Sequence, residues 1–157
     1  MTSERGLREL MKRGSIRSCP ADHRAAANLI HRASTDLRTA ERNLDVDPEC
    51  AFTYSYTAMM RSGLALMFSR GYRPVAANKH QTIVQFVSVS LGPKDEHIFS
   101  AFDLLRNKRN KFIYEPDLPC SHTEAKKALE IARQFVEVLA EILDSKNGQC
   151  RLGFDEK

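Results

Sequence analysis

The sequence predicts an all-α protein, an up-and-down bundle of about five or six helices. Three observations carry that expectation. Leu, Ile, Val and Met are common while Trp is absent; only seven glycines and six prolines interrupt 157 residues; and the long stretches between breaks repeat their apolar residues at helical spacing. A hydrophobic content of 42% suits one core, so the chain reads as a single domain over 1–157. A peripheral N-terminal helix falls within 1–20, and a loose tail is expected over 146–157.

The first helix is predicted from Ser3 to about Lys12, with Leu7, Leu10 and Met11 on one side, before Gly14 and Cys19-Pro20 stop it. A second runs from Ala21 to about Asn43. It presents Ala26, Leu29, Ile30, Ala33, Leu37, Ala40 and Leu44 on one face and arginines on the other, the pattern of an amphipathic peripheral helix. Asp47-Pro48-Glu49 then supplies an N-cap, a first-turn proline and an acidic residue matched to the helix dipole, opening a helix that continues to Arg70 and ends at Gly71.

That third helix is apolar nearly all round and is expected at the centre. Ala51, Ser55, Ala58, Ser62, Ala65 and Ser69 recur at alternating spacings of four and three, a stripe of small side chains that another backbone can approach. After the loop Gly71-Tyr72-Arg73-Pro74, a fourth helix is predicted from about Asn78 to Leu91, carrying Ile83, Val84, Phe86 and Val87. Pro93 and Asp95 open a fifth through about Phe112. Ser121-His122-Thr123-Glu124 matches a capping box and begins a sixth, reaching about Asp144.

A net charge of +4, from 24 basic and 20 acidic residues, permits anionic partners without naming one. No stretch approaches the roughly 20 apolar residues of a membrane span and the N-terminus lacks the apolar core of a signal peptide, so a cytoplasmic protein without membrane contact is expected. Cys19, Cys50, Cys120 and Cys150 lie far apart with no CxxC pair. His23, His31, His80, His97 and His122 show no ligand spacing either, so no metal and no cofactor is expected and each histidine reads as a surface or satisfied residue.

The informative polar residues lie on the fifth helix. At about 100° per residue, Ile98, Phe99, Phe102, Leu105, Phe112 and Ile113 form one broad apolar arc, and Arg106 and Arg109 fall inside it. Asn110 and Asp103 lie at its edge, one turn from Arg106. Tyr114 stands one turn beyond Asn110 if the helix extends that far, so Arg106, Asn110 and Tyr114 share a ridge with Arg109 beside it. A guanidinium in an apolar setting needs a partner. Three arrangements meet that need: carboxylates on neighbouring helices, for example Asp36 or Glu41; a subunit interface, where arginine and tyrosine are favoured anchors; or a site for phosphate, which guanidinium groups grip bidentately.

The run Ala51-Phe52-Thr53-Tyr54-Ser55-Tyr56-Thr57-Ala58-Met59-Met60-Arg61, the helix end Leu66-Met67-Phe68-Ser69-Arg70-Gly71-Tyr72-Arg73-Pro74, and Arg109-Asn110-Lys111-Phe112-Ile113-Tyr114 together resemble the HEPN domain (higher eukaryotes and prokaryotes nucleotide-binding), in a toxin–antitoxin-like branch. The likeness covers about Ala21 to Leu143 and includes the helix order. It implies a helical bundle, often a homodimer, of toxin–antitoxin or other defence systems, at times beside a nucleotidyltransferase-type antitoxin partner. Many HEPN proteins are metal-independent ribonucleases whose motif is Arg, commonly a polar residue, and then His after four to six residues.

Carried over, the motif arginine is Arg109 and its polar follower Asn110, while the histidine position holds Tyr114. The implied chemistry is attack of a ribose 2′-hydroxyl on the adjacent phosphate, with histidine moving a proton and arginine stabilising the developing charge. Tyrosine, with an ordinary pKa of about 10, is a poorer base but can donate a proton or a hydrogen bond. The resemblance therefore implies a dimeric RNA- or nucleotide-binding module using Arg106, Arg109, Asn110 and Tyr114. Its alternatives are an endoribonuclease toxin with Arg109 and Tyr114 as catalytic residues, or a purely structural interaction bundle.

Overall fold

A computed structural model describes residues 2–75 and 77–146. Six helices follow in order: α1 (Thr2–Lys12), α2 (His23–Asn43), α3 (Pro48–Ser69), α4 (Lys79–Ser90), α5 (Glu96–Tyr114) and α6 (His122–Lys146). The bundle is all-α apart from two three-residue strands, β1 (Ile16–Ser18) and β2 (Tyr72–Pro74), which pair antiparallel with Ile16 opposite Pro74. The tail expected to be loose lies, from residue 147 onward, outside the described residues, as does Cys150.

Cap chemistry fixes several boundaries. Asp22 accepts a hydrogen bond from the Ala25 backbone N–H, so α2 starts two residues later than Ala21. Asp47 does the same for Cys50 with Pro48 in the first turn. The Ser121 hydroxyl accepts from the Glu124 N–H while the Glu124 carboxylate accepts from the Ser121 N–H, the reciprocal pair of a capping box. α5 opens through a single 3-10 turn at Pro93–Asp95 and runs two residues past Phe112, so Tyr114 is helical.

The segment after α3, expected as a loop, is half of the small sheet. Gly71 takes φ +81°, and a Cβ there would lie 2.7 Å from the Cys19 carbonyl oxygen. Only glycine allows both the turn and that approach. The Cys19 N–H donates to the Gly71 carbonyl, tying the chain before α2 to the chain after α3. A three-residue strand carries no alternation to read, which is why the pairing was not legible in advance.

α3 is the central helix. It packs most extensively against α2, then α6, with α4 and α5 on its remaining sides. The small-residue stripe is core: Ala51, Ser55, Ala58, Ser62 and Ala65 are fully buried, and Ala33 of α2, Ala58 of α3 and Val136 of α6 meet in one cluster. Ser55 and Ser62 satisfy their hydroxyls on carbonyls one turn back, at 2.8 and 2.9 Å, so their polarity costs little in this position. On the opposite flank a Cβ at Gly63 would come within 2.6 Å of Ile83 Cγ2, so α4 lies unusually close to α3. α1 rests on α4, where a Cβ at Gly6 would meet Val89 at 2.6 Å. Among the described residues no helix is long and apolar enough to cross a membrane.

Candidate functional site

α5 is held by Ile98, Phe102 and Leu105, which are buried, and by Phe112, set edge-on to Phe52 with ring centroids 5.0 Å apart. Ile113, placed in the apolar arc by its spacing, is 53% exposed. Arg106 and Arg109 project from that covered face toward a buried tyrosine of α3.

The carboxylates considered as their partners are engaged elsewhere. Asp36 pairs with Arg61 at 3.1 Å and Glu41 with Arg133 at 3.1 Å. Arg106 is instead held within its own helix: Nε and Nη2 both donate to Asp103 Oδ1, at 3.3 and 3.2 Å, leaving 22% of the arginine side chain exposed. Arg109 has no carboxylate partner among the described residues. Its guanidinium lies over the Tyr56 ring, 5.3 Å from the centroid, a cation–π contact that keeps the charge beside an electron-rich face without neutralising it.

Tyr56 is the hub of the site. It is 1% exposed, its ring leans on Phe102 of α5 at 6.0 Å, and its hydroxyl lies 3.1 Å from Nδ1 of His80 in the first turn of α4. Burial pushes the Tyr56 phenol up to about 12, against the smaller opposing pull of Arg109 and Arg106. The phenol therefore keeps its proton and, because His80 is its one hydrogen-bond partner among the described residues, the buried O–H is satisfied by donating to Nδ1. The neutral imidazole then carries its hydrogen on Nε2, which has no protein partner among the described residues. Burial, then the charges of Arg109 and Arg106, lower the His80 pKa from its ordinary 6.5, so the ring is neutral when the site is empty at neutral pH.

Of the four residues singled out by sequence, the structure places Arg106 and Arg109 at one cluster. Asn110 is partly covered beside them. Tyr114 ends the helix with 79% of its surface exposed and no side-chain partner among the described residues. Sequence reasoning missed Tyr56, which entered only as part of the Ala51–Arg61 run, and His80, which was read as a surface or satisfied histidine. A lone histidine at a helix start carries no signal of its own; only the packing of α4 on α3 brings it to the arginines. A cleft of about 340 Å³ lined by Arg13, Ser15, Asn78, Gln81 and Thr82 adjoins the start of α4, and none of the four expected residues lines it.

The set of groups can hold an anion. Among the described residues one guanidinium is free of carboxylates and a second shares one, with the His80 imidazole and the Asn110 amide on the neighbouring positions; such donors suit a phosphate. Compared with known proteins, the chain matches the family described as HEPN domain over residues 26–143, which is most of its length. No curated protein and no solved structure matches it. The helix order, the central position of α3 and the match together make the chain a member of the HEPN family.

Proposed function

We propose that this protein is a cytoplasmic HEPN module that binds RNA or a nucleotide through phosphate contacts at Arg106 and Arg109, with Asn110 and Tyr114 extending the surface along α5. The observation that carries this reading is Arg109: a half-buried guanidinium held against an aromatic face with no carboxylate among the described residues to neutralise it. A charge kept in that state has its hydrogen bonds available for a ligand. The test is binding of single-stranded RNA and of nucleotides to wild type and Arg109→Ala at several salt concentrations. Affinity should fall with salt and be lost in the variant; salt-insensitive binding would argue against phosphate contacts.

The same reading has the protein act as a homodimer, supported by Leu104 and Ile113, each 53% exposed on the helix that carries the site. Light scattering on the purified chain checks it. A toxin–antitoxin or other defence setting, with a nucleotidyltransferase-type antitoxin as partner, follows from the family resemblance and is checked by co-purification with such a partner.

Metal-independent RNA cleavage is the second reading, and one observation favours it: the site has an imidazole after all, His80, joined to Arg109 through Tyr56. In this reading Arg109 stabilises the charge that develops on phosphate, and proton transfer belongs to His80 or, as the motif spacing has it, to Tyr114. RNA incubated with EDTA decides it. Cleavage by wild type but not Arg109→Ala favours an enzyme, loss in His80→Ala but not Tyr114→Phe assigns the proton to His80, and no cleavage across varied RNAs leaves the binding module.

A further inference from the structure

We propose that His80 is a third limb of the Arg106–Arg109 site, donating a hydrogen bond from Nε2 to the same RNA phosphate and gaining a proton more readily once that phosphate is seated. The inference rests on the phosphate-binding reading above and adds to it a residue from a different helix.

The geometry is specific. Tyr56 presents its ring face to the Arg109 guanidinium and its hydroxyl to His80 Nδ1, so one buried side chain fixes both groups. Because the phenol donates to Nδ1, the neutral ring carries its N–H on Nε2, and His80 is exposed, so that N–H is open to a ligand. Tyr56 itself is enclosed: it is 1% exposed with its ring against Phe102, and Gly63, about two turns further along α3, lets α4 settle close.

The electrostatics reinforce this role. The charged and titratable groups acting on His80 are Tyr56 from α3 and Arg109 and Arg106 from α5; Asp103, paired with Arg106, acts on Tyr56, Lys79 precedes His80 on α4, and Arg13 lines the adjoining cleft. In the empty site the two arginines oppose a third positive charge. A phosphate diester cancels much of their field, and its own charge favours the imidazolium, so ligand and proton bind with positive linkage. Affinity therefore rises as pH falls through the interval between the free and the ligand-bound titration of His80. Asp103 competes with the ligand for Arg106, which keeps this coupling centred on Arg109 and His80.

A 2′-O-methyl oligouridylate without terminal phosphates is a suitable probe, since its diesters hold their charge throughout the range and it cannot be cleaved by its own 2′-oxygen. Its affinity for the full chain is measured from pH 5.5 to 8, for wild type, His80→Ala, His80→Gln and Arg109→Ala, while the His80 imidazole resonances are followed by NMR. Wild type should bind more tightly at low pH, gaining up to about tenfold per pH unit, the limit for one proton. His80→Gln, which retains an N–H donor but cannot titrate, should match wild type within about threefold at pH 8 and lose that extra gain at low pH. His80→Ala should be weaker throughout, and the wild-type His80 titration should move up on adding the probe. If the probe binds in an Arg109-dependent manner but His80→Ala binds as wild type, or His80→Gln keeps the full pH dependence, or the imidazole titration does not move, the third limb is wrong and the arginine site stands. If the probe does not bind at any pH, the phosphate-binding reading fails with it.

Discussion

The Tyr56 hydroxyl lies 3.1 Å from His80 Nδ1 while the Arg109 guanidinium covers the ring of the same tyrosine. Three helices are joined at that one side chain. Tyr56→Phe keeps the ring and its packing but removes the donor, so the fold should lose about 1 kcal/mol, the usual worth of one hydrogen bond at a partly exposed partner. Thermal unfolding measures it. A loss above about 3 kcal/mol would mean that the hydroxyl has a further structural role.

His80 should titrate below the ordinary 6.5 in the free protein, since burial and the two arginines all act against its charged form. Its folded value is lowered, so the unfolded chain binds more protons between that value and 6.5, and this group's contribution to stability is lost as pH falls through that interval. In Arg109→Ala the NMR titration should rise part of the way back, because burial, the largest cause, remains. No rise would mean that the guanidinium does not reach the imidazole.

Tyr114 offers a different test. The residue is 79% exposed and its hydroxyl has no partner among the described residues, so its use to a ligand is as a stacking face for a base. Tyr114→Ala should leave stability within about 0.5 kcal/mol of wild type and weaken RNA binding by about 1 kcal/mol or more. Tyr114→Phe should bind as wild type. If Tyr114→Phe alone abolished binding, the hydroxyl and not the ring would be the functional group.

Gly63→Ala should be destabilising despite alanine's better helix propensity. The added methyl would lie 2.6 Å from Ile83 Cγ2 and 3.1 Å from Val87 Cγ2. Overpacking of this kind costs about 1–3 kcal/mol, against about 1 kcal/mol gained in propensity, so a net loss of about 1 kcal/mol is expected in a denaturant titration. Because the shift falls on α4, the His80 NMR titration should change as well. A stabilised Gly63→Ala would show that α4 yields easily.

Asp36 and Arg61 form the buried ion pair between α2 and α3. Asp36 is 4% exposed, and burial raises its pKa above the ordinary 3.8 despite the opposing pull of Arg61 and Arg32. Arg61→Met should cost about 2 kcal/mol at pH 7, less than the roughly 3–5 kcal/mol of a fully buried pair because Arg61 keeps some solvent contact. With its partner gone, the carboxyl's folded pKa rises further, so the folded state takes up protons before the unfolded one. The deficit against wild type should therefore shrink as pH falls through the folded value toward 3.8, as urea melts at several pH values would show.

By itself the sequence determined the helices, because periodicity, caps and breakers act within a few residues: Asp47-Pro48, Gly71 and the Ser121–Glu124 box each did in the structure what their chemistry requires. It also singled out Arg106 and Arg109, since a guanidinium inside an apolar arc is anomalous on any single helix. Only the tertiary structure decided what those arginines face. The contacts of Tyr56 with His80 and Arg109 join residues 24 and 53 positions apart, on helices whose mutual placement depends on Gly63 and on a stripe of buried alanines and serines. Neither pairing leaves a periodic or spaced trace in the chain. The same holds for β1 and β2, whose three-residue strands meet because the ends of α3 and the approach to α2 bring them together, and for no reason their own residues disclose.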